Sequence, residues 1–298
     1  MQVPLFSVLI ANYNNGIFLE EAIQSVFAQT YTNWEIILVD DDSTDNSKEI
    51  YLKYSSDPRI HIYYNDKNYG CGYTKHRCVE LANGEICGFL DSDDVLASTA
   101  LNDTITLHTK ERKASLVYTD SYYCDNNLQI LNIKTTQTSI PDNLTYLEYG
   151  NFAIFHFATF KKTKYLETKG INPELLRAVD QDLYLKLEEV GNLYYYPNKL
   201  YYYRTGTNNN ISLGYNSRKA TMWHLVVLID ACRRRNIDIE KNIYQYYDMF
   251  INMYSKEHTR LVETQLYDTY NSFSFKLGKV LTAPFRWLKK KKKITRSK

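Results

Sequence analysis

No Cys-x-x-Cys pair occurs in the chain, and its five cysteines, Cys71, Cys78, Cys87, Cys124 and Cys232, are scattered. That argues against a disulfide framework or a thiolate zinc site and points to a reducing compartment. No apolar run reaches the roughly 18 residues needed to cross a bilayer. The opening segment, Met1 to Ser7, lacks the basic region and apolar stretch of a secretory leader. The expectation is a cytoplasmic protein, soluble or peripheral at the inner face of the plasma membrane. Charge of one sign is also lacking. A net charge of +2 speaks against a nucleic-acid partner. There is no internal repeat and no Walker A loop, and Gly70-Cys71-Gly72 lacks the third glycine of a dinucleotide fingerprint.

What is present has ordinary globular composition, 44% hydrophobic and 23% charged over 298 residues, enough for one large α/β domain plus an extension. Tyrosine is abundant at 28 residues, with clusters at Tyr194-Tyr195-Tyr196 and Tyr201-Tyr202-Tyr203. That is good strand composition, although aromatic rings also stack on sugars and bases.

Hydrophobic patterning predicts strands at Phe6 to Ala11, Glu35 to Val39, Arg59 to Tyr64 and Ile86 to Leu90. Between them lie amphipathic helices: Phe18, Leu19, Ala22, Ile23, Val26 and Phe27 carry helical spacing, a second helix is capped within Ser43 to Asn46 with Glu49 nearby, and Thr74 to Ala82 forms a third. Alternation of this kind makes a parallel sheet with helices on both faces. Ligands then bind beyond the carboxyl ends of the strands. Further on, Val117 to Asn132 reads as a hairpin turning at Asp125-Asn126-Asn127, and Phe152 to Phe160 as a strand. Val179, Leu183, Leu187 and Val190 mark one face of a helix, and Leu193 to Arg204 reads as a hairpin across Pro197-Asn198. Two late helical stripes, Met222-Leu225-Val226-Ile229 and Ile243-Tyr246-Tyr247-Phe250-Ile251-Tyr254, read as core-packing faces.

The strand Ile86 to Leu90 delivers Asp91-Ser92-Asp93-Asp94, three carboxylates in four residues. Such a cluster repels itself unless a cation is near. Hard oxygen ligands suit Mg²⁺ or Mn²⁺, which commonly share a substrate's phosphates. The alternative is that these acids only precede a helix beginning near Val95, whose free N–H groups welcome negative charge. Ala11-Asn12-Tyr13 and Asp40-Asp41-Asp42 also lie at strand carboxyl ends, so they converge with the acid cluster on one crevice.

The ordered series Ala11-Asn12-Tyr13-Asn14, Val39-Asp40-Asp41-Asp42-Ser43, Asn68-Tyr69-Gly70, Leu90-Asp91-Ser92-Asp93-Asp94 and Val179-Asp180-Gln181-Asp182-Leu183 resembles the family-2 glycosyltransferases of GT-A fold over residues 5 to 204. The resemblance implies a Rossmann-like, mostly parallel sheet with a mixed acceptor half and a C-terminal helical extension. The expected organisation is 1–98 for nucleotide-sugar, 99–214 for acceptor, and 215–298 as the helical extension with a basic tail. It implies that Asp40 accepts the pyrimidine N3–H, with Ala11 and Tyr13 holding the base, so that UDP is favoured over dTDP. It further implies Asp93 as the direct ligand of Mn²⁺ or Mg²⁺, with Asp91 near the ribose and the metal's waters and Ser92 in the same motif. Asp180 matches the general base of inverting members, with the alternative that Asp180 and Asp182 only stabilise the N-terminus of the helix they begin, and Lys75 stands where a cation faces phosphate. The chain departs from the family pattern at Val179, where relatives carry Glu, at Lys75-His76, where they carry Arg-Asn, and after Arg204, where a histidine is missing.

The implied function is metal-dependent transfer of a sugar from a nucleotide-sugar to a glycan or lipid-linked saccharide. A haloacid-dehalogenase-like phosphatase also places Asp-x-Asp after a strand, but its motif continues with Thr where this chain has Val95. A scaffold that binds nucleotide-sugar without catalysis stays open as an alternative. In the tail, Phe285-Arg286-Trp287-Leu288 precedes Lys289 to Lys293. At about 1 kcal/mol per basic residue near anionic lipid, this segment suits a membrane surface, with a solvated tail as the alternative.

Overall fold

The computed structural model describes residues 3–131, 133, 137–149, 153–205 and 217–240. The chain divides into compact units Met1–Ile243 and Tyr244–Lys298, and every described element lies in the first. Its order is β1 (Phe6–Asn12), α1 (Gly16–Phe27), β2 (Trp34–Asp40), α2 (Ser47–Tyr54), β3 (Ile60–Tyr64), α3 (Cys71–Leu81), β4 (Ile86–Phe89), β5 (Val95–Leu96), α4 (Ala100–Lys110), β6 (Ala114–Cys124), α5 (Tyr146–Tyr149), β7 (Ala158–Lys161), α6 (Lys162–Leu166), α7 (Val179–Glu188), β8 (Asn192–Arg204) and α8 (Ser217–Arg234). The strands form one sheet in the order β3-β2-β1-β4-β7-β6-β8-β5. The first four pair in parallel, β7 runs antiparallel to both β4 and β6, and β8 runs parallel to β6. This is the mostly parallel α/β sheet of the sequence reading.

Alternation along the strands separates two cores. Phe6, Val8, Ile10, Ile36 and Leu38 pack with α1, α2 and α4 on one face. Leu9, Ile37 and Val39 pack with α3, α7 and α8 on the other. Covering both faces is why β2 is buried along its whole length. Along α1, Leu19, Ala22, Ile23 and Val26 are the buried stripe.

Several expectations are corrected. No helix starts near Val95: Val95 and Leu96 pair with Tyr202 and Tyr201 of β8, and α4 begins at Ala100. The acids of the Asp91 loop therefore do not cap a helix. The expected hairpin at 193–204 is one strand, whose register with β6 jumps from Thr119↔Tyr196 to Asp120↔Lys199. Pro197 and Asn198 are accommodated in that irregularity, where a residue without an N–H is tolerated. After β6 the turn does occur at Asp125, whose carboxylate accepts the Asn127 and Gln129 N–H groups at 2.9 Å each, but the return strand is reduced to a Cys124↔Ile130 bridge. The expected strand at Phe152 to Phe160 pairs only at Ala158–Lys161, and Phe152 lies outside the described residues. On α8 the buried positions are Ala220, Val227, Ala231 and Cys232, whereas Met222 and Val226 are exposed. The stripe beginning at Ile243 and the basic tail lie outside the described residues. Among the described residues no helix is long and apolar enough to cross a membrane.

Helix α3 begins at Cys71, three positions before the expected Thr74, because Gly70 turns the chain at φ +92. Only glycine adopts that conformation without penalty. Gly72 then donates its N–H to the Leu175 carbonyl at 2.9 Å. A Cβ at Gly72 would sit 2.3 Å from that oxygen and 2.8 Å from the Asn172 carbonyl. Gly72→Ala is therefore expected to lower stability by about 2 kcal/mol, the scale of overpacking against rigid backbone. Urea unfolding checks it, and an unchanged midpoint would show that the loop yields freely.

Candidate active site

Lys75 on α3 is 4% exposed. Its Nζ lies 2.8 Å from Asp180 Oδ1 and 3.1 Å from Asp91 Oδ1, and 5.0 Å from the centre of the Phe89 ring. Burying an ammonium costs several kcal/mol unless it is paired. Burial by itself would lower the Lys75 pKa, but Asp180 and then Asp91 outweigh it and hold the ammonium well above its ordinary range. Asp91 is the mirror case: burial would raise it, and Lys75 followed by His156 keep the carboxyl below its usual value. His156 Nε2 is 3.3 Å from Asp91 Oδ2, and the Asp91 N–H donates to the Tyr201 hydroxyl at 3.1 Å.

The two acids that open α7 have separate jobs. Asp182 is 2% exposed, binds Lys186 at 2.7 Å and accepts the Asn172 N–H at 2.9 Å. It locks the loop before the helix. The Asp180 side chain is 33% exposed and faces Lys75. Ala178, just before the helix, has φ +57, a left-handed conformation that side-chain-bearing residues adopt at some cost.

The Asp40-Asp41-Asp42 run splits across the sheet. Asp40 follows Ile36 and Leu38 onto the α2 side, where its Oδ1 accepts the Tyr51 hydroxyl at 2.5 Å and its Oδ2 the Ser43 N–H at 3.0 Å. Asn12 reaches the same group, donating to the Tyr51 hydroxyl at 2.7 Å and to Ser47 Oγ at 2.9 Å. Asp41 turns to the α3 side, accepting the Asn65 amide at 2.6 Å and the Tyr69 and Gly70 N–H groups at 2.9 and 2.8 Å. Burial pushes the Cys71 thiol up to about 12, and the charges acting on it are Lys75, Asp180, Asp91 and Asp41. Through the Gly70 N–H, Asp41 sits at the turn that opens α3, the helix carrying Lys75, whereas the carboxylate of Asp40, expected from sequence to receive a base, is engaged on the α2 side by Tyr51 and Ser43. Ala11 is half-buried on the α3 side, and Tyr13 is 48% exposed.

In the acid loop, Ser92 is buried and accepts the Asn15 amide at 3.1 Å. Asp94 is 1% exposed and accepts the Arg204 N–H at 2.7 Å. Burial, then Asp93 and Asp91, push its carboxyl well above the usual range. The buried Arg204 guanidinium donates to the Asp93 carbonyl at 2.5 Å and to the Asn126 carbonyl at 3.3 Å, pairs with Glu21, and stacks 4.7 Å from the Phe18 ring centre. Arg204 thus fastens the acid loop to α1. His76 hydrogen-bonds the Ile171 carbonyl at 2.9 Å and lies 3.3 Å from Glu80, a packing role. Val179 is core.

Among the described residues no cluster of three or more His, Cys, Asp or Glu side chains forms a ready cation cage. Asp91 meets Lys75 and His156 with its two oxygens, and Asp93, two residues on in the same loop, is the acid that could hold a divalent ion. A single protein carboxylate with shared waters and phosphate suits Mg²⁺ or Mn²⁺. His156 carries no motif around it. Its only signal in the sequence is a lone polar ring between Phe155 and Phe157.

The family model described as Glycosyl transferase family 2 matches residues 7–167. The hyaluronan synthase of Pasteurella multocida is 29% identical over 259 residues, covering 84% of this chain but 25% of that protein. The chain thus spans about a quarter of the length of that relative. Among solved structures, S. aureus TarS 1-349 in complex with UDP-GlcNAc superposes with a TM-score of 0.61 at 18% identity, covering 74% of this chain and 65% of that one. The mannosyltransferase PcManGT from Pyrobaculum calidifontis, in complex with GDP-Man and Mn²⁺, gives a TM-score of 0.56 at 13% identity over 94% of this chain and 84% of that one. These structures establish the GT-A type of fold.

A raised carboxyl pKa makes a signed prediction. The native state favours neutral Asp94, so its contribution to stability is full below the unfolded value near 4 and is lost as pH rises toward the folded value. Asp94→Asn, which cannot ionise, is therefore expected to gain on the wild type as pH rises from about 4 toward neutral in chelator. Thermal unfolding across that range checks it, and a pH-independent difference would contradict it.

Proposed function

The chain belongs to glycosyl transferase family 2, and on that premise we propose that it transfers a sugar from a UDP-sugar, with dTDP-sugar as the second choice, to a glycan or lipid-linked saccharide, with inversion at the anomeric carbon. The observation that carries the reading is the sharing of one buried ammonium, Lys75, between Asp91 of the acid loop and Asp180 of α7. It sets a donor-side acid and an acceptor-side acid on the same cation.

Each residue has a role in this reading. Asp41, rather than Asp40, accepts the pyrimidine N3–H, because it sits on the α3 side with Ala11, at the turn that opens the helix carrying Lys75. Tyr13, exposed at the mouth, stacks on the base. Asp93, with Asp91 behind it, would hold Mn²⁺ or Mg²⁺, whose charge neutralises the departing diphosphate. Ser92 shapes the acid loop through Asn15. Lys75 acts on the donor site through Asp91 and not as a free phosphate-facing cation. Its bond to Asp180 Oδ1 leaves Oδ2 to receive the acceptor's hydroxyl proton as that oxygen attacks the anomeric carbon. Such a base contributes about 10²- to 10⁴-fold.

Calorimetric titration of UDP in the presence of Mn²⁺ tests the donor half. Binding is expected to depend on Mn²⁺ and to be lost in Asp93→Asn. Asp180→Asn is expected to keep that binding while sugar transfer falls by about 10²- to 10⁴-fold. Unchanged transfer would remove Asp180 as the base and favour a non-catalytic scaffold.

The segment Phe285 to Lys293 suits peripheral attachment to anionic lipid. Flotation with anionic liposomes is expected to fall when residues 285–298 are removed, and equal flotation would contradict the attachment.

A further inference from the structure

Asp91 is held on both sides. Lys75 takes its Oδ1 at 3.1 Å and His156 its Oδ2 at 3.3 Å. The His156 side chain is 11% exposed, and its ring lies against Tyr201 at 5.4 Å and 22°, and against Tyr203 at 5.9 Å and 14°. Phe155 closes on its edge at 4.8 Å. The main chain there is fixed as well, since the Thr119 N–H donates to the Phe157 carbonyl at 3.1 Å and Ser121 Oγ donates to the His156 carbonyl. Tyr201, one of the rings against His156, also receives the Asp91 N–H. One aromatic layer thus fixes both the backbone and the carboxylate of Asp91.

The structure assigns His156 as a positioning residue: its ring, fixed between Tyr201 and Tyr203 with Nε2 3.3 Å from Asp91 Oδ2, keeps that carboxylate from swinging onto the cation and leaves Asp93 to bind it. This rests on the reading of the crevice as a metal and nucleotide-sugar site. A carboxylate with one free oxygen would rotate about its Cβ–Cγ bond and compete with Asp93 for the ion. With Lys75 at one oxygen and the imidazole Nε2 at the other, rotation gives up a polar contact in either direction. Partners standing behind metal ligands commonly change metal affinity by about 10- to 100-fold when removed.

The test separates ring packing from the polar contact. His156→Phe keeps an aromatic ring in the layer and removes the polar nitrogen facing Asp91, whereas His156→Gln restores a polar side chain without the ring. Titration of Mn²⁺ and UDP into the full chain is expected to show binding weakened by about 10-fold in His156→Phe and largely restored in His156→Gln. In an Asp91→Asn background, His156→Phe is expected to add no further loss, because the partner is already altered. Wild-type affinity in His156→Phe, or full additivity with Asp91→Asn, overturns the assignment. A wild type with no Mn²⁺-dependent UDP binding overturns the reading of the crevice instead. The pair is then judged by thermal unfolding of the wild type, His156→Phe, Asp91→Asn and their double variant, where shifts that add in full overturn the contact.

Discussion

The site depends on one buried ammonium satisfying two carboxylates that stand far apart in sequence. Lys75 comes from α3, Asp91 from the loop after β4 and Asp180 from the first turn of α7. Withdrawing the lysine would leave two facing acids with no common counter-charge. The seam between α3 and α7 is built to prevent that. Gly70 turns the chain, Gly72 brings α3 against the carbonyls of 172 and 175, His76 bonds the Ile171 carbonyl, and Asp182 with Lys186 fixes the same loop from the other side. Backbone contact here is a condition for the ion pairs, since an ammonium reaches both carboxylates only while the two helices keep this spacing.

Parity along the strands decides which acids reach the crevice. Ile36 and Leu38 point to the α1–α2 core, so Asp40 continues that side and is absorbed by Tyr51 and Ser43. Burial and Asp40 push the Tyr51 phenol upward, so it stays a neutral donor to that carboxylate. Val39 points to the α3 core, and Asp41 reaches the Gly70 turn beside Lys75. The same logic governs β8, where Tyr201 is buried beneath the acid loop and Tyr203 feels Asp94, Asp91 and Asp93. Arg204 ends that strand by tying the Asp93 carbonyl to α1.

Much of this was legible from hydrophobic period alone. The first four strands and the helices between them follow short apolar runs and helical stripes closely, since both faces of the parallel sheet are covered. The acid loop at the end of β4 was also legible, because like charges crowded after a buried strand require a reason. Other features depend on tertiary contacts that no local window contains. Pro197-Asn198 has turn chemistry, yet pairing with β6 on both sides keeps β8 a single strand. Adjacent aspartates at 40 and 41 differ only in which side of the sheet they meet, and a one-residue change of parity exchanges their roles. His156 stands alone in an apolar run, and its value comes from Asp91, brought to it by the pairing of β4 with β7. On α8 the helical spacing of Met222, Leu225, Val226 and Ile229 picked the wrong stripe, since the core receives Ala220, Val227, Ala231 and Cys232 instead.

The most direct measurement of the central claim is a crystal structure of the chain with UDP and Mn²⁺. The account predicts the uracil between Ala11, Tyr13 and Asp41, the ion on Asp93, and Lys75 still joining Asp91 to Asp180. A nucleotide seated against Asp40 on the α2 side, or an ion bound away from Asp93, would contradict it.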